Sequence, residues 1–170
     1  MEQGQIGEIE EILINAFPAV EREIYDGWIL NFSGGYTYRA NCIYPFYHST
    51  YDLEEKVIYC ENQYRELLLP AVYKMTEAIP KALDELLEVR GYKNVKYVDV
   101  LHCRLEGWTA PKMKCPEHDY EVIRMHRMDE EWLEGVNQLI DIPYPSMEKI
   151  QKKIFRRIRL PMICVKIRHQ

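Results

Sequence analysis

The sequence predicts a mixed α/β fold, with a partly antiparallel central sheet and helices packed on it. Three observations carry that expectation. Asp26–Tyr47, DGWILNFSGGYTYRANCIYPFY, holds two short runs rich in aromatic and β-branched residues, separated by Gly34-Gly35. Apolar stripes at helical spacing recur on both sides of it. Between those stripes lie short alternating segments, so helices and strands take turns along the chain. The 170 residues are enough for an ordinary domain with a core of its own.

In the central stretch, Trp28, Leu30 and Phe32 alternate with Ile29 and Asn31, and Cys42, Tyr44 and Phe46 alternate with Ile43 and Pro45. Period-two spacing reads as strand, and a glycine pair supplies the positive φ of a tight reversal. The reading is an antiparallel hairpin, Trp28–Phe32 with Thr37–Tyr44, belonging to a larger sheet because two strands alone are barely stable in water. On such a strand Arg39 and Asn41 share a face. Buried there, both need partners, so they form a structural polar network or contact a ligand in a polar cleft.

Upstream, Ile9, Ile12, Leu13, Ala16 and Phe17 make one helical stripe, closed by Pro18; Val20–Tyr25 reads as a short acidic connection. Downstream, Asp52 is placed as an N-cap with Glu55 as its capping-box partner. The helix Leu53–Leu68 then buries Val57, Cys60, Tyr64 and Leu67 and stops at Pro70. Ala71–Thr76 is an expected strand. Pro80 opens a helix with Ala82, Leu83, Leu86, Leu87 and Val89 inward and Gly91 as C-cap glycine. Val95–Leu105 alternates again and is expected as a long strand. Strands on either side of each later helix suggest parallel neighbours.

Glu106–Asp119, with Gly107, Pro111 and Pro116, breaks the pattern as a loop or linker. Beyond it, Tyr120–Met125 is a strand or an extended segment. Asp129 caps a helix over Glu131–Ile140 with Trp132, Leu133, Val136, Leu139 and Ile140 inward. Ser146 caps the helix Met147–Ile158, and Leu160–Ile167 is a final strand. The division expected is 1–110 as one lobe, and 111–170 as a linker and the start of a second. An apolar edge on strand 160–167 would invite pairing with another copy, making a homo-oligomer.

The net charge of −5 argues against nucleic acid as a partner. The basic run Lys149–Arg159 reads as the wet face of a helix whose Ile150, Ile154, Phe155 and Ile158 turn inward. No signal peptide and no long apolar segment is visible, so no membrane partner is expected. Five scattered cysteines without a CxxC pair suit a reduced, cytoplasmic protein. Cys103, Cys115 and His118 hold half of a zinc pattern without the other half, and no metal site is expected. Cys42 in a strand and Cys60 on a helical stripe read as core thiols. No glycine-rich phosphate cradle of Rossmann or P-loop form is present.

Asp26-Gly27-Trp28, Gly35-Tyr36-Thr37, Arg39-Ala40-Asn41 and Tyr44-Pro45 together closely resemble the amino-terminal half of tandem-type GNAT N-acetyltransferases. The likeness continues through Phe17-Pro18-Ala19, Glu61 and Tyr64, Leu69-Pro70, Tyr73-Lys74-Met75-Thr76, Leu83-Asp84 and Arg90-Gly91-Tyr92, covering most of residues 9–100. Trp132-Leu133, the helix near Lys149–Ile158 and the strand 160–167 look like the start of a carboxy-terminal lobe. Departures are Cys42 where serine is common, and Tyr38 and Asn31 where arginine is frequent.

The resemblance implies a GNAT-like acyl-CoA N-acyltransferase fold, and acetyl transfer from acetyl-CoA to an amine, a small amine substrate among them, in the complete protein. It marks Arg39, Asn41 and Tyr44 as a substrate or structural polar network, and carries no catalytic residue over to a numbered position. Family members seat the cofactor diphosphate on an Arg/Gln-x-x-Gly-x-Gly/Ala turn at a helix N-terminus, where free amides and the helix dipole favour an anion. No such turn occurs here. The matching junction, His48–Leu53, has no glycine and carries Asp52; in the second lobe the turn is expected beyond Gln170. This chain alone is therefore expected to lack the cofactor site, with a non-catalytic scaffold, binding or dimerisation domain as the alternative.

Overall fold

The computed structural model describes residues 3–109, 119–140, 145–159 and 161–168. Helix α1 (Gln3–Ala16) leads into strands β1 (Glu21–Tyr25), β2 (Trp28–Phe32) and β3 (Ile43–Tyr44), which form an antiparallel sheet in that order. Helices α2 (Leu53–Glu66) and α3 (Lys81–Val89) follow. Strand β4 (Asp119–Met125), helices α4 (Glu130–Leu139) and α5 (Glu148–Arg157), and strand β5 (Met162–Arg168) complete the chain; β4 and β5 pair antiparallel as a two-stranded ribbon. Among the described residues no helix is long and apolar enough to cross a membrane.

Strand β2 is the centre. Its first four residues are all buried, because both faces of the sheet are covered. Trp28 and Leu30 pack with Ile43 against Val57, Cys60 and Tyr64 of α2 and Leu83 and Leu87 of α3. Ile29 turns the other way, against Cys42, Tyr44 and Ile14 of α1. Leu30, Ile43 and Val57 are wholly inaccessible, so truncating Leu30 or Ile43 to alanine costs roughly 2–5 kcal/mol.

The hairpin at the centre differs from the expectation. Val20–Tyr25 is not a connection: most of it is β1, which pairs with β2 from Glu21↔Phe32 to Tyr25↔Trp28. The turn is Asp26-Gly27, both at positive φ (40° and 81°), the backbone sign of a two-residue type I′ hairpin. Gly27 also lets two backbones meet: its carbonyl accepts from Tyr47 N at 3.0 Å, and a Cβ there would stand 2.9 Å from the Tyr47 carbonyl oxygen.

The expected strand Thr37–Tyr44 is paired only at Ile43 and Tyr44. Residues 38–40 instead form a 3-10 turn capped by Thr37, whose Oγ1 accepts from Arg39 N at 3.4 Å. A side-chain-to-backbone bond has displaced the ladder there. Arg39 and Asn41 therefore do not share a strand face.

Ala71–Thr76 keeps a single parallel bridge, Ile43↔Tyr73. Val95–Leu105 pairs with none of the described residues and is exposed throughout. Alternation fixes which side chains share a face, but a strand also needs its amides paired along an edge, and among the described residues these are not.

The helices follow their signals more closely. Asp52 caps α2 by accepting from Glu54 N and Glu55 N at 2.9 and 3.1 Å. Asp129 caps α4 through Trp132 N. Helix α3 ends in a Schellman motif, with Gly91 N donating to Glu88 O and Tyr92 N to Leu87 O. Ser146 does not cap α5, because a 3-10 turn over Pro145–Met147 runs directly into that helix and puts Met147 at its start. Ile12, Leu67, Ala82, Val89, Leu139 and Ile140, expected to face inward, are exposed.

Helix α2 closes with the same Schellman bonds, Leu68 N to Arg65 O and Leu69 N to Tyr64 O, but the left-handed position is a leucine, Leu68 at φ 57° and almost fully exposed. A Cβ is costly in that conformation, and this side chain recovers little by packing. Leu68→Gly is expected to stabilise the fold by about 1 kcal/mol, read as a higher urea midpoint with an unchanged slope; an unchanged or lower midpoint refutes the strain.

Candidate functional site

The junction between β3 and α2, the position the sequence singled out for an anion, is organised by Asp26. Its carboxylate accepts from Thr50 N (2.9 Å), Thr50 Oγ1 (2.8 Å), Ser49 Oγ (2.8 Å) and Tyr51 N (2.9 Å). Lys56, one turn into α2, is completely buried and donates to the Asp26 carbonyl at 2.6 Å, to Asp26 Oδ2 at 3.0 Å and to Ser49 Oγ. An ammonium has three protons to donate, and all three find acceptors here. Its Nζ also lies 4.3 Å from the centre of the Trp28 ring.

Four backbone amides of this junction are thus taken by the chain's own carboxylates. Asp26 takes those of residues 50 and 51, and Asp52 takes those of 54 and 55. Burial pushes the Asp26 carboxyl up, but the bonds from Tyr51 N, Ser49, Thr50 and Lys56 outweigh it and hold the group far below the usual carboxylate range. Burial in turn lowers the Lys56 ammonium, against the pull of Asp26.

The loop 33–41 is held by Asn41. Its Oδ1 accepts from Ser33 N at 2.7 Å and Gly35 N at 3.0 Å, and its Nδ2 donates to the Thr37 carbonyl at 2.9 Å. Tyr44 Oη donates to the Arg39 carbonyl at 3.2 Å, while the Arg39 side chain is exposed with its guanidinium 5.2 Å from the Phe17 ring centre. The structure therefore gathers Arg39, Asn41 and Tyr44 around one loop. Asn41 and Tyr44 bind backbone, and Arg39 alone directs its charge outward.

Two further ionic contacts were not visible as sites in the sequence. Glu10 on α1 is buried and paired with Lys74, whose Nζ lies 5.6 Å from the Tyr44 ring centre. Ile6, Glu10 and Ile14 recur every four residues and are all buried, so the spacing carried the signal and the charge of Glu10 hid it. Glu61 on α2 accepts Arg90 Nε at 3.1 Å, Arg90 Nη2 at 2.6 Å and Tyr92 Oη at 3.1 Å, clamping the end of α3 onto α2. The Arg90 bonds hold Glu61 below its ordinary value against the rise from burial.

The thiols are poorly placed for chemistry. Burial pushes Cys42 up to about 11 and Cys60 up to about 12, so neither is a thiolate near neutrality. Among the described residues no group of three metal-ligating side chains converges; Cys103 and His102 are exposed, and Cys115 and His118 lie outside the described residues. Shallow hollows lie among the described residues. One of about 410 Å3 is lined by Glu61, Arg65, Leu68, Leu69, Ala71 and Tyr92; another of about 260 Å3 lies between Ser33-Gly34, Leu67, Leu69 and Ile150.

Two substitutions separate these networks. Asn41→Ala leaves two backbone amides without an acceptor and is expected to cost roughly 2–3 kcal/mol, whereas Asn41→Asp, which keeps the acceptor, costs less; equal losses for the two would refute the assignment. Asp26 is ionised more readily in the folded chain than in the unfolded one, where its value is about 3.9. Its stabilisation is therefore complete above that value and lost as pH falls further. Asp26→Asn is expected to lower the urea midpoint at pH 7 and to flatten its acid dependence below about pH 4; parallel curves for the two proteins would contradict this.

A family model described as "Probable histone acetyltransferase Rv0428c C-terminal" matches residues 3–143, and the chain belongs to that family. No curated protein matches the chain, and no solved structure does. Most of the chain is thus an acetyltransferase-family domain of GNAT type, and its mixed α/β fold, a central antiparallel sheet flanked by helices, is consistent with a GNAT-like acyltransferase.

Proposed function

We propose that this chain is the scaffolding part of an acetyl-CoA-dependent N-acetyltransferase, and that it does not itself seat the cofactor diphosphate. In the complete protein the reaction is acetyl transfer to an amine. The family description names histone acetyltransferase, so a protein lysine stands beside a small amine as acceptor class. Residues 1–110 form the degenerate lobe in this reading, and 111–170 a linker and the start of a second lobe.

The observation that carries the reading is the occupied helix start. A diphosphate binds such a terminus through bare amides and the positive end of the dipole. Here Asp26 and Asp52 hold those amides, and a diphosphate would meet two carboxylates. Displacing Asp26 would also strip the buried Lys56 of an acceptor and its counter-charge. The junction His48–Leu53 does not fit the cofactor. Asn41 and Tyr44 act as the structural network of loop 33–41, with the Arg39 carbonyl as one acceptor and the Arg39 side chain outside it. Cys42, Cys60, Cys103 and Cys164 are free thiols, which favours a reducing, cytoplasmic setting.

A second reading, dimerisation through residues 160–167, draws on β5, where Ile163 and Val165 are exposed and, among the described residues, β4 alone is paired with it.

Calorimetric titration of the purified chain with acetyl-CoA tests the main reading. No saturable heat is expected, and no release of CoA thiol on adding amines. Saturable uptake that is lost on changing Tyr51 or Leu53 would place the diphosphate at this junction and overturn the proposal.

A further inference from the structure

We propose that the open edge of β1, with the tyrosine pile beside it, is a docking site for an extended basic peptide. The proposal does not rest on the acyl-transfer reading, since it needs no cofactor.

Strand β1 is the last on its side of the sheet. A two-residue hairpin makes its flanking residues, Tyr25 and Trp28, a hydrogen-bonded pair, and the pattern alternates from there. Glu21, Glu23 and Tyr25 therefore bond β2, while Arg22 and Ile24 turn their N–H and C=O groups away from it. The phase agrees on the far side of β2, where Asn31, opposite Arg22, gives its N–H to the Cys42 carbonyl at 3.1 Å. No backbone hydrogen bond from another described segment reaches Arg22 or Ile24.

The face of this edge toward α2 is aromatic and acidic. Tyr25 stacks on Tyr59 of α2, with ring centres 3.8 Å apart and planes 13° from parallel. Tyr51 stands edge-on to Tyr25 at 5.7 Å and is 58% exposed. Tyr59 Oη donates to Glu23. Burial raises the Tyr25 hydroxyl, and the nearby carboxylates of Glu55 and Asp26 raise it further. Among the described residues neither Glu23 nor Glu55 has a cation in ion-pair contact. The cations close by are turned elsewhere. Arg22 reaches to Asn31 Oδ1 at 3.0 Å and the Ile14 carbonyl at 3.5 Å, and Lys56 is buried on Asp26. Lys153 shares the smaller hollow with Glu21, which is left out of the site for that reason.

Charge decides the occupant. A strand laid on β1 directs every second side chain toward α2. There a guanidinium can pair with Glu23 or Glu55 and lie on an exposed tyrosine at once, and an ammonium can do so less fully. The side chains between them pass Ile24, which is 68% exposed, so the pattern that fits alternates basic with apolar. Backbone bonds supply affinity in this mode and the alternate side chains supply selectivity. A second copy of β1 would set Glu21 and Glu23 against their own kind. The chain's own segment 93–108 leaves from the opposite edge of the sheet, where Tyr92 meets the Tyr73 ring at 5.4 Å and Tyr73 bridges to Ile43.

Fluorescence anisotropy at low salt, with a labelled peptide of alternating arginine and valine, is the test. Saturable binding to the intact chain is expected. Methylating the peptide's backbone nitrogens keeps its charge, removes its donors and weakens binding roughly tenfold or more. Glu23→Gln/Glu55→Gln weakens it by a similar factor, and so, to about threefold or more, does Tyr51→Ala at the surface. Glu85→Gln/Glu88→Gln, exposed on α3, makes the same change in net charge and leaves binding as it was. Circular dichroism follows the fold of each variant; should the Glu23 pair not fold, Tyr51→Ala still decides. Absence of saturable binding overturns the proposal. Equal binding of the methylated peptide removes the strand edge from it. An α3 variant that loses as much as the Glu23 pair, or a Tyr51→Ala protein that loses nothing, reduces the effect to diffuse attraction and overturns it as well.

Discussion

The first half of the chain hangs on the bond between the Asp26 carboxylate and the Lys56 ammonium. A buried ammonium is tolerated only where all three of its protons find acceptors. Residue 26 supplies two of them, its carbonyl and Oδ2, and Ser49 the third. To do so, Asp26 must stand at positive φ in the β1–β2 turn, and Gly27 must let residues 47 and 48 pass close by. One pair thus sets the hairpin turn, the path of the junction and the seating of α2. Since α2 carries Val57, Cys60 and Tyr64, the main core is aligned by the same contact.

That contact also decides what the junction can bind. A helix start stabilises an anion whether it belongs to a ligand or to the chain. Here the chain's own carboxylates occupy the place, with the entropy of ordering them already spent on folding. A ligand must then compete against an internal group tethered in position, at very high effective concentration. In the function proposed above, fold kinship and ligand binding therefore separate in this molecule.

The helices were legible because their signals are local. Asp52, Asp129 and Gly91 act on amides and carbonyls within one turn, and the structure uses each as the sequence suggested. The strands were legible only in part. Asp26-Gly27 is the stronger hairpin signal, yet Gly34-Gly35 lies midway between two aromatic runs and imitates one. Both glycines do adopt positive φ, but in a longer loop closed by Asn41. A carboxamide that replaces three backbone contacts leaves no trace in residue periodicity. Glu10 and Lys56 were missed for a related reason: a charge reads as surface until its partner, far away in sequence, is known.

The two halves of the chain share a packed face. Ala40, at the end of the 3-10 turn, is sealed by Leu133 of α4 and by Ile154 and Phe155 of α5, with Phe17, Val20 and Tyr36 around them. Phe155 meets both Phe17 and Trp132 edge-on, at 6.3 and 5.5 Å between ring centres. Arg157 then ties α5 to the Ala19 carbonyl at 2.8 Å and also donates to that of Val20. Gly34 brings the same loop so near to α5 that a Cβ would collide with Ile150. The loop resembling the GNAT hairpin is thus clamped from inside by Asn41 and from outside by α4 and α5. Without those helices, Ala40 and the Phe17 ring would face water, and the resulting loss would fall on the loop itself. A change at the α4–α5 face should therefore be felt at loop 33–41, which makes the far half of the chain part of what shapes that loop.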